Sequence, residues 1–510
     1  MSALHDKENN ITAVFSKHIK ENVKTLDYLF KDCSDVVSRE FTIGGVNQVQ
    51  VYIIYIDNMA VQSLIDEDIM RYLLYHMEDL PKDNTFSYIM EKGIRSADMS
   101  EVLTLKDGVE GILSGETLLL VNGYDKGIKI SLKGMPNRGV PESSNEVSIR
   151  GSKEGFSEAL NINRVLLRRR IKDTNLKMKG MVVGTRTRTD VTIAYIEGVT
   201  KEEYVTEVTN RIEEYVIDGI LDSGMLEQLI EKNTLSPFPE FQATERPDKA
   251  SAALLEGRVV ILVDNSPMAI ILPTTLNSFF HASDDTYERW EIATFTRIIR
   301  FLGAFITIAL PALYIAVINY QPEVLTSSMA LSFAAAREGV PFSVLFEVII
   351  MEIAFQMLLE AGVRLPGPMG STLGIVGGLI IGDAAVNANI VSPIVVIVIA
   401  FTAISAFTVP NSSFAFAFRI IRYFLLFLSS FLGLLGFISG LIFVLVHLAG
   451  LRSFGIPYLV PFSASGINEG EEGKDSIVRY PLKSMNRRPL FSKKEERVRL
   501  VKKEKDGKSV

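Results

Sequence analysis

The sequence predicts an α/β soluble N-terminal region of two similar subdomains, followed by an all-α polytopic membrane domain. Three observations carry this. Of the 113 charged residues (53 Lys and Arg plus 60 Asp and Glu), only ten fall between Phe301 and Gly450. One uncharged stretch in that block, Phe301 to Pro322, covers 22 residues, enough helix to cross a hydrocarbon core of about 30 Å. Before it, one order of strands, turns and helices occurs twice.

The first element is helical. Apolar positions between Ile11 and Val37 (Val14, Phe15, Ile19, Val23, Leu26, Leu29, Phe30) recur at helical spacing. A strand follows over Val49 to Ile56, then a helical stretch with Ile65, Ile69, Leu73 and Leu74 on one face. Glu116 to Val121 and Ile128 to Leu132 read as strands joined by the turn Asn122-Gly123-Tyr124-Asp125. The order then returns. Met181 to Ile196 is strand-like, Lys201 to Tyr215 is helical, and Arg258 to Val263 and Met268 to Leu272 flank the turn Asp264-Asn265-Ser266-Pro267. The segment YIIYID pairs with TIAYIEG, and GETLLLVNG with GRVVILVDN. Between the repeats, Arg164, Arg168, Arg169, Arg170 and Lys172 give one helix a basic face, read as a solvated surface rather than an interdomain salt bridge.

Several function classes are excluded here. A net charge of −7 without a basic stripe argues against nucleic-acid binding. Cys33 is the one cysteine, so no internal disulfide or Cys-rich zinc site forms, and it reads as a half-buried helix residue rather than a nucleophile. No phosphate-binding glycine loop, serine elbow or metal-ligand histidine spacing appears. The expectation is no enzyme activity, no metal and no cofactor. Asp284, Asp285 and Glu288 suit the start of a helix at the membrane approach. Met1 to Asn10 is polar and lacks the apolar core of a signal peptide, which keeps the soluble half cytoplasmic.

In the second half, Phe301 to Pro322, Phe342 to Leu359, Ile390 to Val409 and Phe424 to Gly450 read as four spans. Residues 366–389 are rich in glycine and proline and end in Asp383, Asn387 and Asn389. Irregular backbone and polar groups persist in a membrane only where protein or water covers them. This segment is therefore expected to be re-entrant or a short helix pair, lining an ion or solute path. Gly374, Gly378 and Gly382 recur every four residues, a spacing that lets helices approach closely. Glu347 and Glu352 are the intramembrane acids; five residues place them about 140° apart on a helix, so each serves a path or pairs with Arg364, Arg419 or Arg422. Arg289, Arg297 and Arg300 before the first span, and eight Lys or Arg in the last twenty residues, place both ends on the cytoplasmic side. The expected division is 1–150 and 151–290 for the subdomains, 291–455 for the membrane domain and 456–510 for a partly disordered basic tail.

Six stretches together resemble the A subunit of GerA-type spore germinant receptors: VSIRGSKEGFSEALNINRVLLRRRIKD (147–173), GMVVGTRTRTDVTIAYIEGV (180–199), PFPEFQATERPDK (237–249), LEGRVVILVDNSPMAIILPTT (255–275), SDDTYERW (283–290) and the glycine-rich stretch around 364–393. The resemblance implies a subunit of the spore inner membrane, acting with a transporter-like B subunit and a lipoprotein C subunit. It implies that small nutrients trigger cation release, and that A subunits oligomerise into a gated channel in contact with membrane lipid. On that reading Gly374, Val376, Gly378, Ile380, Asp383 and Asn387 form the pore wall, with Glu347 and Glu352 as second choices. The competing readings are a secondary transporter, which usually shows duplicated membrane halves absent here, and a non-conducting membrane scaffold.

Overall fold

The computed structural model describes residues 14–134, 150–364, 368–463 and 472–501, together with Ser143 and Glu146. The first subdomain opens with helix α1 (Ile19–Leu29), whose Ile19, Asn22, Leu26 and Leu29 are buried along one stripe. Strands β1 (Val36–Ile43) and β2 (Val49–Ile56) form an antiparallel hairpin in which Val36 faces Ile56 and Ile43 faces Val49. The C-terminal end of the predicted helical stretch, Val36 and Val37, is thus strand. Helical turns over 62–75 and 85–93 lead to β3 (Met99–Val102), helix α2 (Leu105–Leu113), β4 (Thr117–Val121) and β5 (Gly127–Ile130). Ile65, Ile69 and Leu73 are buried as their spacing predicts, but Leu74 is half exposed, since it points about 100° further round the helix.

The second subdomain repeats the plan. Helix α3 (Leu160–Arg170) precedes β6 (Leu176–Val183) and β7 (Thr189–Ile196), followed by α4 (Glu202–Glu213), α5 (Ser223–Ile230), β8 (Gln242–Thr244), α6 (Pro247–Leu255), β9 (Val259–Val263) and β10 (Ala269–Leu272). The strand orders are β1-β2-β4-β5-β3 and β6-β7-β9-β10-β8, one topology used twice. The paired segments YIIYID and TIAYIEG fall on β2 and β7, and the second pair on the central strands β4 and β9. Each sheet is covered on both faces by apolar clusters, so β4 and β9 are buried along their whole length. Met181 to Ile196 is a hairpin rather than one strand, turned through Gly184 at φ +92. The duplication extends to side chains. Asn22 Oδ1 accepts from the Ser16 amide at 2.9 Å and its amide donates to Ser16 O at 2.7 Å; Asn163 and Ser157 do the same at 2.8 and 2.6 Å.

The subdomains are joined by backbone and charge. Ser34 N donates to Met178 O, and Met178 N to Asp32 O, both at 3.0 Å. Cys33 lies in that junction, buried and outside any helix, and burial pushes its thiol up. The basic face of α3 is not simply solvated. Arg168 is buried against Asp35, and Arg169 and Arg170 both engage Glu154. The interdomain reading set aside above is the one the structure bears out for Arg168.

The described parts of the tail are packed against the second subdomain. Phe454, Ile456, Val460 and Phe491 are buried in the second subdomain's core. Lys493 N donates to Val199 O at 2.9 Å, and Ser492 bridges Thr200. In the first subdomain the corresponding loop is met by its own chain, where Val61 N donates to Leu132 O and Ala60 bridges Lys133.

The C-terminal half is helical: α7 (Trp290–Tyr320), α8 (Ser327–Ala336), α9 (Val344–Arg364), α10 (Pro368–Asn387), α11 (Pro393–Ala406) and α12 (Ser412–Gly450). Among the described residues, α7 and α12 are long and apolar enough to cross a membrane by length and composition. Helix α7 continues through Pro311. Helix α12 does not run straight, because Gly433 at φ 59 and ψ −137 breaks it. Phe424 and Phe443 stack with centroids 5.6 Å apart, whereas nineteen residues of straight helix would separate them by about 28 Å. The single span predicted over Phe424 to Gly450 is thus part of a helical hairpin.

Candidate functional site

At the approach to the helices, Asp284 and Asp285 open a short helical turn, Asp284–Tyr287, as their position suggested, but Asp285 does more than favour that turn. It is buried, and it accepts from Arg297 Nε at 3.0 Å and from Arg300 Nη1 at 2.8 and 2.7 Å. Arg297 also reaches Asp475 Oδ1 at 2.6 Å, and Arg479 donates to the carbonyls of Asp285, Thr286 and Glu288. The first turns of α7, the acidic linker and the tail thus share one buried charge network, which sequence spacing could not connect across nearly 200 residues. Beside it, burial and the Arg297 charge press His281 down to about 4, so its imidazole stays neutral.

The helices then alternate between two ends of the bundle. Midway along α7 Phe301 stacks on Phe280 at 4.0 Å, and the helix ends where Tyr320 Oη donates to Ser430 O at 2.6 Å. The turn of the α12 hairpin sits there, with Leu434 N donating to Gln321 Oε1. The second limb returns to the second subdomain, where His447 Nε2 lies 2.9 Å from Ser236 Oγ. Helix α11 runs back so that Thr408, just after its end, meets Gly303 in the middle of α7. Among the described residues, α7, α9, α10, α11 and the two limbs of α12 pack as one helical bundle.

Glu347 and Glu352, both on α9, are each paired. Glu347 is sealed; Arg337 lies 3.1 Å from Oε1, and the Ser392 amide donates to Oε2 at 2.8 Å, at the start of α11. Glu352 lies 2.7 Å from Arg422, both buried. The partner of Glu352 was among those predicted; Arg337 was missed because it sits in a connecting segment, ten residues before its acid.

Helix α10 carries the residues assigned to a pore wall, and it is one continuous helix rather than a re-entrant pair. The side chains of Gly374 and Val376 lie outside the described residues. Ile380, Asp383 and Asn387 fall within about 60° of one another and are all exposed, with Asn387 Nδ2 donating to Asp383 Oδ2 at 3.0 Å. Gly378 lies about 160° from Ile380, and a Cβ there would meet nothing within 4 Å. Gly377 approaches Leu358 of α9, and Gly382 approaches Val396 of α11. The described members of the predicted set therefore divide between two uncovered faces of α10, while Gly377 and Gly382 pack within the chain.

The chain matches the Bacillus/Clostridium GerA spore germination protein family over residues 24–491. It is 38% identical to the membrane protein YfkQ of Bacillus subtilis (strain 168) over 491 residues, 96% of this chain and 94% of that one. It is also 38% identical to spore germination protein KA of the same organism over 492 residues, 96% of this chain and 88% of the relative. The crystal structure of the N-terminal domain of the A subunit of the Bacillus megaterium spore germinant receptor GerK3 aligns at 31% identity and TM-score 0.39, covering 51% of this chain and 97% of that one.

Proposed function

This chain belongs to the GerA family of spore germination proteins, membrane subunits of germinant receptors, and from that premise we propose that copies of it assemble into a nutrient-gated cation channel. The observation that carries this reading is the uncovered surface of α10. Asp383 and Asn387 are polar groups one turn apart at the end of a largely apolar helix, exposed in the single chain. Such groups in a membrane face protein or water, and a ring of copies around a water path supplies both. Gly374, Val376, Gly378, Ile380, Asp383 and Asn387 are the proposed pore segment. The two faces they occupy suit one side against the lumen and the other against a neighbouring copy. Glu347 and Glu352, being paired, act as structural ions rather than as a relay.

On this proposal the receptor includes a transporter-like B subunit and a lipoprotein C subunit, and the nutrient is sensed through the complex. It sits in the spore inner membrane with both chain ends toward the core. The packed tail supports a shared side for the two ends, since Phe454, Ile456, Val460 and Phe491 lie in the second subdomain's core. The test is cation conductance of cells expressing this chain with its partner subunits, wild type against Val376→Ala and Asp383→Asn. Altered nutrient-dependent or constitutive leakage supports the pore. Well-inserted complexes without conductance in any of them would assign the ion path to another protein.

A further inference from the structure

A cavity of about 410 Å³ lies between α9, α11 and the first limb of α12, beneath the segment that precedes α7. Its rim is aqueous and charged, and each rim cation has a partner. Lys249 Nζ lies 2.9 Å from Glu146, and Arg246 pairs with Asp248 at 2.8 Å. Deeper in the wall Arg422 is matched by Glu352. Arg419 is the exception. It lines the cavity one turn before Arg422, is half-buried, and stacks its guanidinium 4.6 Å over the ring of Phe416. Among the described residues it has no acidic partner within ion-pair distance and donates no hydrogen bond.

A guanidinium at the edge of the apolar layer without a counter-ion is costly. The sequence retains it beside a cavity whose floor is apolar, formed by Phe355, Ala403 and Phe407. The surface beyond is apolar too, with Phe407, Phe416 and Ile420 each more than half exposed. A cation at the polar end and a greasy slot leading outward is complementary to an amphiphile with a negative head. Basic pockets between membrane helices on the headgroup side bind such lipids. We infer that this cavity holds an anionic phospholipid, its phosphate on Arg419 and an acyl chain along Phe407, Phe416 and Ile420. The lipid belongs to the leaflet that faces the soluble half. Arg419 supplies charge and planar hydrogen bonding to two phosphate oxygens; Phe416 holds the guanidinium in position.

The purified full chain is placed in vesicles of phosphatidylglycerol and phosphatidylcholine, re-extracted, and its retained lipid weighed by native mass spectrometry. Wild type is expected to keep phosphatidylglycerol preferentially. Arg419→Gln is expected to lower that retention at least five-fold without changing phosphatidylcholine, and Arg419→Lys to restore part of it. Arg364→Gln, which breaks an exposed pair with Glu360, serves as the control and is expected to retain lipid like wild type. Equal retention by wild type and Arg419→Gln overturns the inference. Displacement by millimolar inorganic phosphate as readily as by lipid also overturns it, since the site would then read a free oxyanion. A phosphatidylglycerol with a photoreactive acyl chain tests the wild-type protein alone, independent of any variant's folding. Crosslinks concentrated in 403–423 support the inference, and crosslinks spread evenly over the helices sink it.

Discussion

Arg168 holds Asp35 across the junction of the two sheets by a two-pronged bond, Nε to Oδ2 at 2.7 Å and Nη2 to Oδ1 at 3.0 Å, with both side chains almost sealed from solvent. Burial alone would make either charge costly, and the planar fork of arginine matched to a carboxylate offsets it. Removing one partner leaves the other stranded. Arg168→Gln or Asp35→Asn is expected to destabilise the soluble half by about 3–5 kcal/mol, read from chemical unfolding. The double variant is expected to lose less than the sum of the two single losses, the signature of direct coupling.

Asp285 joins three pieces that are distant in sequence. Replacing it by Asn leaves Arg297 and Arg300 facing each other with half their counter-charge, and loosens the tail through Arg297 and Asp475. Limited proteolysis is expected to cut first between 472 and 501 in Asp285→Asn, where wild type resists. The same cleavage pattern in both proteins would argue against the network as the tail's anchor.

Gly433 is where α12 folds back. Its φ of 59 is a conformation other residues adopt at a cost, and a Cβ there would stand 2.8 Å from the Tyr320 ring. Gly433→Ala is therefore expected to lower stability in detergent by about 1–3 kcal/mol, seen as a lower melting temperature. Gly450→Ala, where a Cβ meets nothing within 4 Å, is expected to change little.

His281 gives a pH signature. Its pKa falls from 6.5 unfolded to about 4 folded, so the unfolded chain binds the proton more readily in between. Stability tied to this group is complete above pH 6.5 and is lost progressively as pH drops toward 4. Thermal melting of wild type is expected to fall more steeply across pH 6.5 to 4 than that of His281→Gln. Parallel curves would remove His281 from the acid response.

Much of this architecture was legible before any coordinates. The apolar runs of β4 and β9 announced buried strands because their periodicity is local, and the turns after them carry residues that favour tight reversal. The paired segments exposed the duplication because equivalent positions in the two sheets meet the same packing demand. Charge depletion after Phe301 marked the helical half for the same reason, since solvation acts residue by residue. What failed was whatever depended on a partner far along the chain. Arg168 looked solvated, and nothing near Asp285 announced that Arg297 would also reach Asp475 or that Arg479 would reach its carbonyl.

The sequence by itself determined the two-part plan, the repeated α/β order, the apolar half and the family to which the chain belongs. Only the tertiary structure decided that the basic tail completes the second subdomain, that Glu347 belongs to Arg337 and that Asp285 serves two arginines at once. It also decided that the last predicted span is part of a hairpin. Periodicity and composition report how each residue meets water or apolar surroundings. Which ion pairs with which, and where a long helix folds back on itself, depend on contacts between residues that no local pattern relates.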